Sequence, residues 1–454
     1  MKLPRVVDDF LWSRLGVHRV QALKGLAFGA PSRIEEIAPL EAKRSSLEKG
    51  RVNLVVPAVD HRYIFGGIST ALWFFEKLSS GFDFARLIVT GTRVPPAEHL
   101  GRFSNYLLID AGEDKPISRG IVSIAGRDSC VLPVGPRDLF VATTWYTAYI
   151  VRRLALWQSC EFKQPIKPIV YLIQDYEPGF YPWSSRYLLA RSTYECADGP
   201  VIAVFNSEDL KEYFEAQGHS FESAYVFEPR MNEVLKEFLK KLSPIEREKR
   251  KQILVYGRPS APRNGFDLIV EALRVWRQRF DSAPAWTLLS VGEPHADVSL
   301  GGGMVLRSLG KLGLEKYSEV LGESAIGVSF MISPHPSYPP LEMAHCGMLV
   351  LTNAFENKNP SAYHDNIVSV DRFTPERIAQ ELIGLCRRFD EDPASGWYGK
   401  SRLERYLSDE DQFPFIQDIR ELLERSLGDE SDNVETACKA NRTTRRRKEN
   451  LECR

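Results

Sequence analysis

The chain has 454 residues, 43% of them hydrophobic and 26% charged, with a formal net charge of −1. That is length for two or three ordinary globular domains, and the charge balance makes no case for nucleic acid as a partner. Seven dispersed cysteines (Cys130, Cys160, Cys196, Cys346, Cys386, Cys438 and Cys453) form neither a CxxC pair nor a zinc spacing, which points to free thiols in a reducing compartment. No apolar run approaches the roughly 18–20 residues of a membrane span, and no signal-peptide pattern opens the sequence. The expected location is cytoplasmic, with peripheral contact at the inner face of a membrane left open.

Residues 1–50 read as a helical prefix. Phe10, Leu11, Trp12, Leu15, Val20, Leu23 and Leu26 lie beside Arg14, His18, Arg19 and Lys24. An amphipathic helix docked on the body fits this pattern, and a helix lying on a membrane surface is the alternative. Over 51–228, short apolar runs alternate with helical patterns. The runs are Asn53–Pro57, Leu87–Thr90, Leu139–Ala142, Pro168–Ile173 and Val201–Phe205. Continuous β-branched runs suit strands buried on both faces, hence a parallel sheet with crossover helices. Residues 229–250 carry a charge run that reads as a solvated linker helix. The alternation restarts over 251–395 with Ile253–Tyr256, Trp286–Val291, Gly327–Ile332 and Met348–Thr352. The fold class is therefore α/β, with two doubly wound, Rossmann-like domains facing a cleft between the carboxyl ends of two sheets. Apolar helices over 396–428 are expected to pack back on the body. The basic tail, 429–454, is too polar to fold and is expected to be disordered.

Several segments carry candidate chemistry. Phe65-Gly66-Gly67-Ile68-Ser69-Thr70 follows the first strand and opens a helix, so its backbone N–H groups and dipole can meet an anion. A tight turn would look the same. Tyr256-Gly257-Arg258-Pro259-Ser260-Ala261-Pro262-Arg263 repeats that placement in the second domain. A guanidinium at such a strand end can bridge diphosphate oxygens. Gly310-Lys311 follows the strand-like Met304–Leu306, where Lys311 is a candidate second cation or simply a solvated loop lysine. Ser333-Pro334-His335-Pro336-Ser337-Tyr338-Pro339-Pro340-Leu341-Glu342 is a rigid proline loop from which Glu342 opens a helix, as a cap or as a hydroxyl-binding carboxylate. Asp175, in the acidic and aromatic loop Gln174–Tyr181, suits carbohydrate, whose C–H faces pack on rings while hydroxyls bond carboxylates. Thr143-Thr144-Trp145-Tyr146 forms a second wall or simple packing. The triplets Asp390-Glu391-Asp392 and Asp409-Glu410-Asp411 read as solvated surface. No metal site and no cofactor are expected.

In this order, Gly257-Arg258 and Pro340-Leu341-Glu342-Met343-Ala344 resemble the family 4 (group 1) retaining glycosyltransferases. The Phe65–Ala71 loop, Gln174–Pro178 and Ser333–Glu342 are most similar to bacterial rhamnosyltransferases that build rhamnan surface glycans. The resemblance covers about residues 50–395. It implies a GT-B fold and metal-independent transfer of a sugar from a nucleoside-diphosphate donor, with retention, to a glycan or lipid-linked saccharide. The sugar would be L-rhamnose on dTDP or UDP. Arg258 and Lys311 would hold the diphosphate, Glu342 the ribose, and Gly66 and Gly67 the phosphate side of the cleft. Asp175 would reach the reacting sugar or the acceptor, with Arg263 and Tyr338 as further substrate contacts. The family pairs two glutamates eight positions apart, but eight before Glu342 stands Pro334. That departure favours a deoxy-sugar donor, which presents fewer hydroxyls. The alternatives are another nucleotide-hexose donor and a catalytically silent assembly partner.

Overall fold

The fold was obtained as a computed structural model, which describes residues 33–60, 66–91, 94, 96–125, 130–242 and 248–428. The amphipathic pattern of residues 10–26 and the basic tail lie outside the described residues. Eight parallel strands form the first sheet. Across it run Ser223–Val226, Val201–Phe205, Ile169–Ile173, Asp138–Ala142, Arg51–Val56, Phe84–Val89, Arg119–Ser123 and Leu107–Ile109. Alternation along each strand divides its side chains between two cores. Val170 and Leu172 join Leu54, Phe74 and Phe75 on one face. Ile169, Tyr171 and Ile173 join Val55, Ile150 and Leu154 on the other. This two-sided burial explains the unbroken apolar runs of the sequence.

The second sheet has seven strands, in the order Val298–Gly301, Met304–Ser308, Thr287–Gly292, Arg250–Gly257, Ser324–Val328, Leu349–Asn353 and Ile367–Val370. Only the edge hairpin Val298–Gly301 with Met304–Ser308 is antiparallel. It too lies between two cores, with Ile253 and Val255 on one face and Leu254 on the other.

Several expectations shift. The described part of the prefix is not helical beyond the short turn Glu35–Ile37, because Glu41–Arg44 pairs as a strand with Val131–Val134. The charge run does not make one solvated helix. Glu233–Lys241 is helical, whereas Arg250 and Lys251 begin the first strand of the second sheet. Between them Lys249 is buried, with Nζ donating to Leu321 O (2.8 Å) and Cys346 O (2.6 Å) and lying 4.8 Å from the Trp397 ring centroid. The strand expected at Gly327–Ile332 is Ser324–Val328. Residues beyond it leave the sheet because Asn264 and Asn353 side chains take the backbone of Phe330 and Met331 out of the ladder. The helix Ile416–Gly428 crosses back to the first domain, where Phe413, Ile416, Ile419 and Leu423 complete its core.

Candidate active site

Each sheet begins in its middle and winds outward both ways, so the direction reverses beside its first strand. In the second sheet the reversal falls between Arg250–Gly257 and Ser324–Val328. An open crevice forms past the carboxyl ends of such strands, and ligands of open α/β sheets bind there. Arg258 and Arg263 follow the first of these strands, and the loop 329–337 follows the second.

The turn that carries the arginines is tightly fixed. A Cβ on Gly257 would collide with Ser290 Oγ and the Phe266 ring, so only glycine allows the strand to pass. Ala261 N–H donates to Arg258 O (3.0 Å), and Glu293 accepts from Ser260 N–H (3.1 Å) and Oγ–H (2.8 Å). Ile332 N–H donates to Arg263 O (2.7 Å) and Asn264 Nδ2 to Phe330 O (2.9 Å), which ties this turn to the proline loop. Within that loop Ser333 Oγ accepts from His335 N–H (3.0 Å), and His335 Nδ1 accepts from Ser337 N–H (2.9 Å). Ser337, at φ 65°, turns the chain into the helix Tyr338–His345.

The first domain faces this crevice with its own strand ends. Gly66, at φ 54°, precedes the helix Gly67–Ser79, whose first turn carries no acidic residue. Gln174 Nε2 donates to Gly67 O (2.8 Å), so the glycine turn and the Asp175 loop form one unit. The buried Asp175 meets the second domain directly. Its Oδ1 accepts from Tyr176 N–H (2.8 Å) and from the Ser333 hydroxyl, and its Oδ2 lies 4.0 Å from Arg263 Nε. The Arg263 guanidinium also lies 4.1 Å from the Phe180 ring centroid. Farther along, Asn357 Nδ2 donates to Asp209 O (2.8 Å).

Burial sets the charge state of this region. It pushes Glu177 up to about 8, against the Trp145 N–H that bonds its carboxylate; Asp175 adds to the rise. Burial also raises Glu342 to about 7, partly offset by the Tyr317 hydroxyl that donates to it at 3.1 Å. Desolvation lowers His335 to about 4 and Lys358 to about 7. At neutral pH the imidazole is therefore uncharged, in keeping with its Nδ1 acting as acceptor.

The fold gathers Asp175, Arg258, Arg263, Tyr338 and Glu342, with Gly66 and Gly67 opposite. Thr70 of the first domain neighbours Tyr338, and Tyr256 feels the charges of both Arg258 and Glu342. Lys311 is exposed on the turn after Met304–Ser308, and Arg263 lies near enough to Arg258 for the two charges to repel. Glu342 does not open its helix. It is the fifth residue, because Tyr338-Pro339-Pro340 already supplies the first turn, where proline needs no N–H partner. It cannot cap the helix, which leaves its carboxylate to the tyrosines around it. Trp145 is buried, with Nε1 bonded to Tyr181 OH (3.0 Å), so that wall is largely packing. The acidic triplets are engaged in surface pairs: Asp390 with Lys251, Asp409 with Lys236, and Asp411 with Lys77. Ser333, His335, Phe180, Glu177 and Lys358 join the site without having been expected there. For the first four, the signal was membership of the two quoted motifs. Lys358 had none.

Residues 51–208 match the N-terminal domain of the WsaF family, and residues 251–383 match its C-terminal domain. The chain carries the WsaF pair of domains. It is 30% identical over 328 residues to the O-antigen biosynthesis protein RfbC of Myxococcus xanthus, which covers 71% of this chain and 23% of that protein. The chain thus spans less than a quarter of that relative's length. The structure is similar to Anabaena HepE, solved in complex with UDP, at TM-score 0.53 and 14% identity over 83% of this chain and 100% of that one. It is also similar to WaaG, a glycosyltransferase of lipopolysaccharide biosynthesis, at TM-score 0.51 and 13% identity over 82% and 99%. The two WsaF domains of this chain have the GT-B fold, two Rossmann-like domains about a cleft.

Proposed function

We propose that this WsaF-type chain is a glycosyltransferase of surface-polysaccharide assembly, moving L-rhamnose from a dTDP- or UDP-linked donor to a growing glycan with retention. The observation that carries the reading is the pair Arg258 and Arg263 past the switch-point strand, opposite Asp175. The relatives' roles in O-antigen and lipopolysaccharide biosynthesis agree with it. The acceptor is a glycan or lipid-linked saccharide.

In the proposed reaction the bond from the sugar's anomeric carbon to the diphosphate breaks, and the acceptor oxygen bonds that carbon from the same face. The departing phosphate oxygen takes the acceptor's proton. Charge grows on the diphosphate as it leaves, and Arg258 with Arg263 stabilises it in a water-poor crevice. Glu342 binds the ribose hydroxyls, and the turn at Gly66 and Gly67 lies on the phosphate side. Asp175 orients the reacting sugar or the acceptor hydroxyl. Pro334, standing where related transferases carry a sugar-binding glutamate, suits a deoxy-sugar. The guanidinium charges stand in for a metal ion.

Incubating the protein with dTDP-L-rhamnose, UDP-L-rhamnose and a set of UDP-hexoses, with and without EDTA, tests this. Nucleoside diphosphate should be released from a rhamnosyl donor at a rate EDTA does not change. Release from a UDP-hexose alone would overturn the donor, dependence on a divalent ion would overturn the mechanism, and consumption of no donor would overturn the transferase reading.

A further inference from the structure

Arg263 belongs to both domains at once. Its backbone is fixed to the second domain by the bond from Ile332 N–H and, at the next residue, by the bond from Asn264 Nδ2 to Phe330 O in the loop 329–337. Its side chain crosses the cleft and ends against the first domain, 4.1 Å from the Phe180 ring centroid and 4.0 Å (Nε to Oδ2) from Asp175. The Nε atom is buried and has no hydrogen-bond partner among the described residues. At 4.0 Å the carboxylate attracts the guanidinium without bonding that N–H. A half-buried guanidinium with a buried, unsatisfied Nε–H, resting on an aromatic face, has its exposed nitrogens left for an anion.

Phe180 comes from the short helical turn Glu177–Phe180, just past Asp175. An aromatic side chain at the edge of a sugar cleft suggests a stacking surface for carbohydrate, but here the ring is given to Arg263. We infer that Phe180 is a positioning residue of the first domain: its face holds Arg263 in the cleft, so that the donor diphosphate takes the guanidinium from Asp175 and leaves that carboxylate to the acceptor. The inference rests on the nucleotide-sugar reading above. It makes the diphosphate site a product of both domains and couples donor binding to the availability of Asp175.

The test compares Phe180→Leu, which keeps an apolar side chain but removes the aromatic face, with Phe180→Tyr, which restores the face. Binding of UDP and of dTDP is titrated by calorimetry, and the melting temperature controls for folding. For whichever nucleotide the wild type binds, Phe180→Leu should weaken binding about 5- to 10-fold, and Phe180→Tyr should stay within about twofold of wild type. In turnover, the leucine variant should raise the donor KM by a similar factor and leave the acceptor KM unchanged. Equal binding by wild type and Phe180→Leu would overturn the inference. So would a tyrosine variant as weak as the leucine one, or a rise confined to the acceptor KM. A wild-type protein that binds neither nucleotide would instead overturn the donor reading on which the inference stands.

Discussion

Lys358 and Arg263 reach the same buried stretch of the cleft beside Asp175, and burial acts on them unequally. The ammonium of Lys358 bonds to Met331 O (2.7 Å), and desolvation brings it to about 7, where it is half-charged at neutral pH. Arg263 is lowered too, by desolvation first, but a guanidinium starts so high that it stays charged. Arg263 therefore carries its charge whether or not a diphosphate is bound. Glu177 shows the opposite case, an acid kept protonated by burial. Its value rises from an ordinary 4.5 to about 8. The stability it contributes is therefore fully present below the ordinary carboxylate range and is lost as pH rises from there through about 8. The loss is on the order of a few kcal/mol at most. Glu177→Gln removes the titration, so its melting temperature should fall less than that of wild type between pH 5 and 8.5. Parallel curves for the two proteins would show that Glu177 ionises freely.

Among the elements, the strands buried on both faces were the legible ones. Val201–Phe205 and Ile169–Ile173 stand almost where their β-branched runs place them, because period-two burial into two cores leaves no polar position to blur the run. Leu107–Ile109, Arg119–Ser123 and Val298–Gly301 went unseen, being short and partly exposed. The run Gly327–Ile332 misled for a physical reason: Phe330 is buried, but in a loop held by asparagine side chains rather than in the ladder. Of the candidate site, Arg258 and Asp175 stand out in the sequence as polar residues just past strand-like runs, and Glu342 through the proline-rich segment before it. Ser333 and Phe180 do not, since their partners lie in the other domain and no spacing encodes that meeting. The proline loop also carries local strain. Ser337 sits at positive φ with a buried hydroxyl that has no hydrogen-bond partner among the described residues. Such backbone costs about 1–3 kcal/mol unless glycine occupies it. Ser337→Gly should raise the melting temperature by about 2–4 °C. A lower melting temperature would mean that the hydroxyl or the rigidity of the loop outweighs the strain.

At the scale of the whole molecule, the two sheets bring their carboxyl ends together, and the chain crosses between them twice. The second crossing returns through Phe413 to the helix Ile416–Gly428, where Arg420 Nε donates to Leu78 O (3.2 Å) and the helix completes the first domain's core. Arg230, near the first crossing, donates to Asp411 O (3.1 Å) on the second. The domains are thus stitched side by side while Asp175, Ser333, Phe180 and Arg263 meet across the cleft between them. That arrangement assigns the leaving-group charge to Arg258 and Arg263, and Arg258 has the simpler test because it does not bridge to Asp175. The deciding measurement is kcat/KM for nucleotide release from the preferred donor by Arg258→Ala, with the melting temperature confirming an intact fold. Loss of this support should lower kcat/KM by about 10²–10³-fold, mainly in kcat. Turnover equal to wild type in a folded Arg258→Ala protein would contradict the account.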